Sequence, residues 1–226
     1  GVNAELLIDH AWGWEPTTID LVKAYKPETS SICSGQVLHC PYDTEKGRLI
    51  VREMTDLLVL DLVEKKLVTD QMTLTLGYDI ENLTNAEIRN RYKGEVVTDH
   101  YGRKVPKHAH GTANLKRPTS STRIILDAVT ELYDRIAYPG LLIRRVTIAA
   151  NRLLDERQVK ETEHYEQLDL FTDYAALEKE RKEEEERLSR ERKLQEAMLS
   201  IKHKYGKNAI LKGMNLQEGA TTMERN

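Results

Sequence analysis

Phenylalanine occurs once in these 226 residues, at Phe171, cysteine twice and proline six times. Two cysteines, Cys33 and Cys40, are too few to staple a disulfide-dense secreted scaffold. No stretch approaches the roughly 18 consecutive apolar residues of a membrane span. The N-terminus shows no signal-peptide pattern, so a cytoplasmic chain is expected. A glycine-rich phosphate loop, a nucleophile elbow and an acid/base pair in a supporting context are all missing, which speaks against P-loop and hydrolase chemistry. Hydrophobic residues make up 39% and charged residues 31%, which is polar for one compact fold of this length. Most of the apolar periodicity precedes residue 155, so the expectation is one medium domain with appendages. A core of roughly 120–150 residues still buries enough surface to stand alone.

A formal net charge of −3 conceals a local excess of the opposite sign. Between His100 and Arg152 ten Lys/Arg face three acids, Asp127, Glu131 and Asp134. Such a segment suits a polyanion, nucleic acid first. A solvated basic face without a partner is the other reading.

Leu6, Leu7, Ile8 and Trp12 suit the last turns of a helix stopped by Gly13, and "AELLIDHAWGW" enters mid-helix with no cap, as a cut end would. The turn-rich "KPETSSICSG" (26–35) reads as a linker feeding the strand "SGQVLHC". Asp43 is placed to cap a helix carrying Leu49, Ile50, Met54, Leu57, Leu58 and Leu62. Met72, Leu74, Leu76 and Tyr78 alternate along a half-buried strand. "GEVVTDHYGRKVP" suggests an inserted hairpin, and residues 107–121 an extended polar-basic stretch ending in a cap at Ser120 or Ser121. Ile125, Val129, Leu132 and Ile136 mark a second helix, and "LLIRRVTIAANRL" (141–153) a last strand. The expected fold is α+β: a four-stranded mixed sheet, β-α-β-β-α-β, with both helices on one face. The other face should be polar and should take the basic excess. Residues 178–206 have a helix-former's composition with charge pairs near i, i+4 spacing, and predict a solvated helix or disorder ended by Gly206. Residues 207–226 are expected to be flexible until a partner orders them.

Asp79 and Glu81 stand two apart at a strand's end, where a divalent ion could sit; a strand leaving for solvent explains them as well. Cys33, His39, Cys40, His108 and His110 lack the short ligand spacing of a structural zinc site. No metal is expected in this chain. Arg144 and Arg145 interrupt an apolar strand, and alternation sends them to opposite sides, one of them onto the open face or the sheet edge. An arginine fork there suits a phosphate oxygen; an ion pair with Asp127 or Asp134 is the alternative.

The strand–helix–strand–strand–helix–strand order resembles the little finger of Y-family translesion DNA polymerases. "SSICSGQVL" after a linker, the helix behind "PYDTEK", "HAHGTANLKRPTSST" and "IRRVTIAANRL" carry the likeness. "ELLIDHAWGWEP" is similar to the final thumb helix, and "AMLSIKHKYGKNAILKGMNLQEGATTMERN" to the C-terminal end of a Gram-positive branch. The resemblance implies the end of a thumb over 1–25, a linker over 26–34, a little finger over 30–155, a linear-motif region over 156–177, a charged helix over 178–206 and a tail beyond it. It implies a role in lesion bypass, DNA repair and the damage response. The expected DNA contacts are Ser31, Ser34, Lys107, His108, His110, Thr112, Asn114, Lys116, Arg117, Arg144 and Arg145. The family's palm, with its acidic residues for Mg2+, would precede Gly1, so no catalytic residue is expected here.

Gln167, Leu168, Asp169, Leu170 and Phe171 ("QLDLF") resemble the peptide with which bacterial polymerases bind a sliding clamp. An extended peptide can offer both leucines and Phe171 to a cleft while the Gln167 amide bonds its rim. Burial of a Leu or Phe is worth roughly 1.5–3 kcal/mol each, which after ordering costs leaves a weak tether. The alternative folds these three apolar residues back onto their own domain. Duplex DNA and a clamp are thus the expected partners, with further replication or recombination proteins through the tail. A protein–protein scaffold with a basic face is the competing function, and an isolated metal-dependent enzyme using Asp79, Glu81 and the histidines a third.

Overall fold

The computed structural model describes residues 2–25, 30–160 and 174–225. The N-terminal helices α1 (Val2–Ala11) and α2 (Ile19–Ala24) leave large apolar side chains in solvent, Trp12 at 86% exposure. Gly13, at φ +78°, ends the first of them where the sequence predicts.

Strand β1 (Ile32–Tyr42) begins two residues earlier than expected and leads through Asp43 into α3 (Thr44–Lys65). The Asp43 carboxylate accepts from the Lys46 N–H at 2.8 Å, capping the helix. Lys66, in the left-handed conformation at φ 56°, turns the chain straight into β2 (Leu67–Tyr78). Two short helices follow, α4 (Glu81–Thr84) and α5 (Ala86–Arg91), then the predicted hairpin of β3 (Val96–Thr98) and β4 (Lys104–Pro106). The Asp99 carboxylate closes its turn by accepting from the N–H groups of Tyr101 and Arg103, and Arg103 holds that carboxyl below its usual range. Strand β5 (Ala109–Thr119) leads to α6 (Thr122–Ile136), capped by Ser121, and then to β6 (Ile143–Asn151) and the two-residue β7 (Leu154–Asp155). A short α7 (Glu156–Lys160) and the long α8 (Tyr174–Tyr205) follow; a 3-10 turn (Gly213–Leu216) and α9 (Thr222–Arg225) complete the described chain.

The sheet order is β1-β6-β2-β5, with β7 paired to the start of β2. All its pairings are antiparallel, which corrects the expected four-stranded mixed sheet to an antiparallel one of five strands. The reason is interleaving. Each helix connects two strands that run the same way, but a strand of the other unit lies between them, so like-directed strands never touch. Met72, Leu74, Leu76, Val146, Ile148 and Ala150 face the two helices and form the core with Ile50, Met54, Ile125 and Leu132. Gly47 lets the start of α3 approach β6 closely. A methyl there would stand 2.5 Å from Ile143 Cδ1 and 2.9 Å from the Tyr133 hydroxyl.

Helix α3 is buried on more than its sheet side. Glu53 and Asp56, 2% and 4% exposed, lie on a face covered by α8 and the chain's last residues. The helix expected over 178–206 is present and largely exposed, but it is docked on one side rather than solvated all round. Gln195 and Met198 of α8 are buried, and the Gln195 amide donates to the Ser120 carbonyl at 3.0 Å and the Thr122 hydroxyl at 2.9 Å. Helix α8 docks beside the N-terminus of α6 through Glu191 and Gln195, while Leu194 stays exposed. Residues 207–225, expected to be flexible until a partner orders them, pack on α3, where Asn215, Thr221 and Thr222 are buried.

Candidate nucleic-acid interface

Directly paired residues of antiparallel strands share a face, so the register lays out the side of the sheet away from α3 and α6. Val37, Arg145 and Gly77 form its first row; Gly35, Thr147, Thr75 and His110 the second. Cys33, Ala149, Thr73 and Thr112 form the third, and Asn151, Gln71 and Asn114 the fourth. The face is small, neutral and hydrogen-bonding. Thr75 and His110 Nδ1 share a bond at 2.8 Å, the Gln71 amide donates to Asn114 at 2.9 Å, and the Asn151 amide donates to Thr73 at 2.8 Å. Arg145 is the only charged residue in these four rows, exposed, with Gly77 beside it.

The two adjacent arginines separate at a bulge. Register slips between Gly77 and Tyr78, which pair with Arg145 and Ile143, so Arg144 is the extra residue. Arg144 Nε lies 3.7 Å from Asp79 Oδ2, a surface pair. Asp79 is held in place locally: its carboxylate accepts from the Glu81 N–H, and its own N–H donates to the Leu142 carbonyl. Asp134, one of the two anticipated partners, is occupied by Arg48 at 2.8 Å and 2.9 Å, which keeps its carboxyl below the usual range. Arg145 pairs with no acid among the described residues.

The basic excess does not gather on this face as expected. Arg103 pairs with Asp99, Lys107 with Glu95 at 2.7 Å, Arg123 with Glu184, and Arg152 approaches Asp70 at 3.8 Å. Arg135 donates to the Thr112 carbonyl. Acids from the hairpin, the strand ends and α8 take up these charges, all contributed by elements outside or at the margin of the basic stretch. Lys104, Lys116, Arg117, Arg135 and Arg145 carry no ion pair among the described residues.

The structure thus brings His110, Thr112, Asn114 and Arg145 onto one face. Lys116 and Arg117 lie exposed along the same edge strand, where the register slips between Thr69 and Gln71. Ser31 and His108 are exposed just before their strands. Lys107 is tied into the hairpin. Ser34 lies on the helix side, where its hydroxyl accepts from Arg225 at 2.7 Å. Gln71, Thr73, Thr75, Thr147 and Asn151 belong to the face and escaped the sequence-derived set. The buried alternation of Met72, Leu74 and Leu76 was the signal for them, because whatever lies between buried strand residues must face the other way. Gln167, Leu168, Asp169, Leu170 and Phe171 lie outside the described residues. Cys33 and Cys40 are free thiols, and no group of three or more His, Cys, Asp or Glu gathers among the described residues. None of the helices described is long and apolar enough to cross a membrane.

Among solved structures, the chain is similar to one described as a complex of the beta-clamp processivity factor and the little finger domain of PolIV. There the identity is 10% and the TM-score 0.35, over 63% of this chain and 99% of that one. It is also similar to Dbh DNA polymerase in a post-insertion binary complex, at 9% identity and a TM-score of 0.32, over 68% of this chain and 36% of that one. An insertion ternary complex of the same polymerase aligns at 10% identity and a TM-score of 0.30, over 58% of this chain and 32% of that one. The chain thus spans about a third of those polymerase chains. No curated protein matches. Residues 29–170, well over half of the sequence, match the C-terminal domain of the impB/mucB/samB family, and the chain belongs to that family of Y-family polymerases through this domain.

Proposed function

We propose that the open face of this sheet lies along the sugar–phosphate backbone of a primer–template duplex, and that residues 167–171 moor the chain to a sliding clamp. The observation that carries the DNA reading is Arg145: exposed, paired with no acid among the described residues and set among threonines, amides and glycines, in a chain of this family. Neutral donors at this density suit phosphate oxygens without reading bases, and Gly35 and Gly77 let a strand come close to the protein backbone. Lys116 and Arg117 extend the charge along the edge strand. The clamp reading rests on the resemblance of Gln167–Phe171 to a clamp-binding peptide. Nucleotide transfer is not assigned to these residues; in a whole polymerase it would fall to palm carboxylates and their Mg2+.

Fluorescence anisotropy with a primed duplex across a salt series tests the grip. Arg145→Ala should reduce the slope of log affinity against log salt by about 0.9. Arg144→Ala should reduce it less, since Asp79 already neutralises part of that charge. No binding at low salt would favour the scaffold reading. For the tether, the chain and its Leu170→Ala, Phe171→Ala double variant are compared for retention on an immobilised clamp; the double variant should be lost and the unmodified chain held. Equal retention removes the peptide from the interface.

A further inference from the structure

Glu53 is a buried carboxylate that pairs with no cation among the described residues. Its Oε1 accepts from the Asn215 amide at 2.7 Å and its Oε2 from the Thr221 backbone N–H at 2.8 Å. One turn on, the buried Asp56 pairs with the Lys212 ammonium. Both acids belong to α3, and every partner named belongs to the last fifteen residues. The same segment is internally organised: Asn215 also accepts from the Lys212 N–H at 2.9 Å and donates to the Thr222 hydroxyl at 3.1 Å. Beyond it, the Thr221 hydroxyl accepts from Gln36 at 2.9 Å and Arg225 reaches Ser34, both on the edge strand β1. Lys46 reaches Glu218 at 2.7 Å on the rim.

Acids turned outward on a helix normally stay in water. Here two are sunk beneath a peptide that satisfies them with an amide, a main-chain N–H and one ammonium. That is how a peptide site is built: a few convergent polar groups fix register, and the flanking contacts exclude water. We propose that the outer face of α3 is a peptide-binding site, anchored by Glu53 and Asp56, and that residues 212–225 are its ligand, supplied in cis. The recognised pattern is a lysine, an asparagine three residues later and a free N–H six residues after that. Helix α8, ended by Gly206 at φ +98°, delivers the ligand to the site. The inference is independent of whether the open face carries DNA, because the two surfaces lie on opposite sides of the sheet.

Hydrogen–deuterium exchange on the full chain reads the docking directly. The Thr221 amide should be protected, and Glu53→Ala should speed its exchange about tenfold or more, the scale of losing a bond to a charged acceptor. Exchange of Thr221 at the rate of an unstructured peptide in the unmodified chain would overturn the proposal. Protection that grows with protein concentration would overturn cis occupancy and assign the ligand to a second copy. Site and ligand are then separated in full-length protein. An Asn215→Ala, Thr221→Pro variant unpins the tail without touching the core, and a labelled synthetic peptide of residues 207–225 is titrated against it. Saturable binding is expected, with the Asn215→Ala peptide and a variant that also carries Glu53→Ala both failing to bind. Failure of the unmodified peptide, or equal binding by all combinations, would show that α3 recognises no peptide there.

Discussion

Arg48 and Asp134 join α3 to α6 across the outer surface, with side chains 40% and 50% exposed. Such a pair is screened by water and contributes about 0.2–1 kcal/mol. Arg48 holds the Asp134 carboxyl below its ordinary value of 3.8, so the contribution is complete above that value and is lost as pH falls through the lower value of the folded state. Arg48→Ala should therefore cost stability at neutral pH and nothing in strong acid, read by urea unfolding at both. A gap that persists in acid would assign the loss to packing of the arginine stem. The Arg144–Arg145 pair teaches the complementary lesson at this scale. Alternation in the sequence predicts that they part to opposite sides. Alternation with the buried Val146, Ile148 and Ala150 puts Arg145 on the open face, while the bulge opposite Gly77 and Tyr78, which makes Arg144 the extra residue, leaves no mark in the composition.

Among the elements, α3 and α8 gained most from the tertiary structure. The stripe of Leu49, Ile50, Met54, Leu58 and Leu62 made α3 legible as a helix, and the capping Asp43 gave its start. Nothing in that stripe reveals that Glu53 and Asp56 are covered, because their partners come from more than 150 residues away. Helix α8 reads in sequence as solvated for the same reason. Its attachment is polar: the Glu191 carboxylate accepts from the Ser121 hydroxyl at 2.7 Å and from the Arg123 N–H at 2.9 Å, which places an acid on the N-terminus of α6. Arg192 reinforces it through Glu156 at 2.8 Å. Glu191→Ala should lower stability by about 1–2 kcal/mol and release α8 first, seen as faster amide exchange over 188–200 than over α6. Uniform change across both helices would mean that α8 is held by its apolar contacts instead.

For the molecule as a whole, charge partition matters more than net charge. A chain of net −3 can still grip a polyanion if its unpaired cations face one way. Five of the ten cations between His100 and Arg152 are engaged by acids of the hairpin, the strand ends and α8. The salt slope of DNA binding should accordingly be shallow, set by a few contacts led by Arg145 with Lys116 and Arg117, and far below the ten that the sequence count suggests. A slope near nine would show that the paired cations are released to the DNA on binding.

The sequence by itself determined the four long strands, the two core helices, their order, the cap at Asp43 and the apolar side of β2, because these depend on neighbours within a few residues. It also carried the family likeness, which residues 29–170 bear out. Only the tertiary structure decided that the sheet is antiparallel, that half of the basic segment is neutralised, that Ser34 faces the helices and that the final residues lie on buried acids of α3. Those outcomes depend on groups distant in the chain meeting in space, and desolvation and pairing energies exist only once they have met.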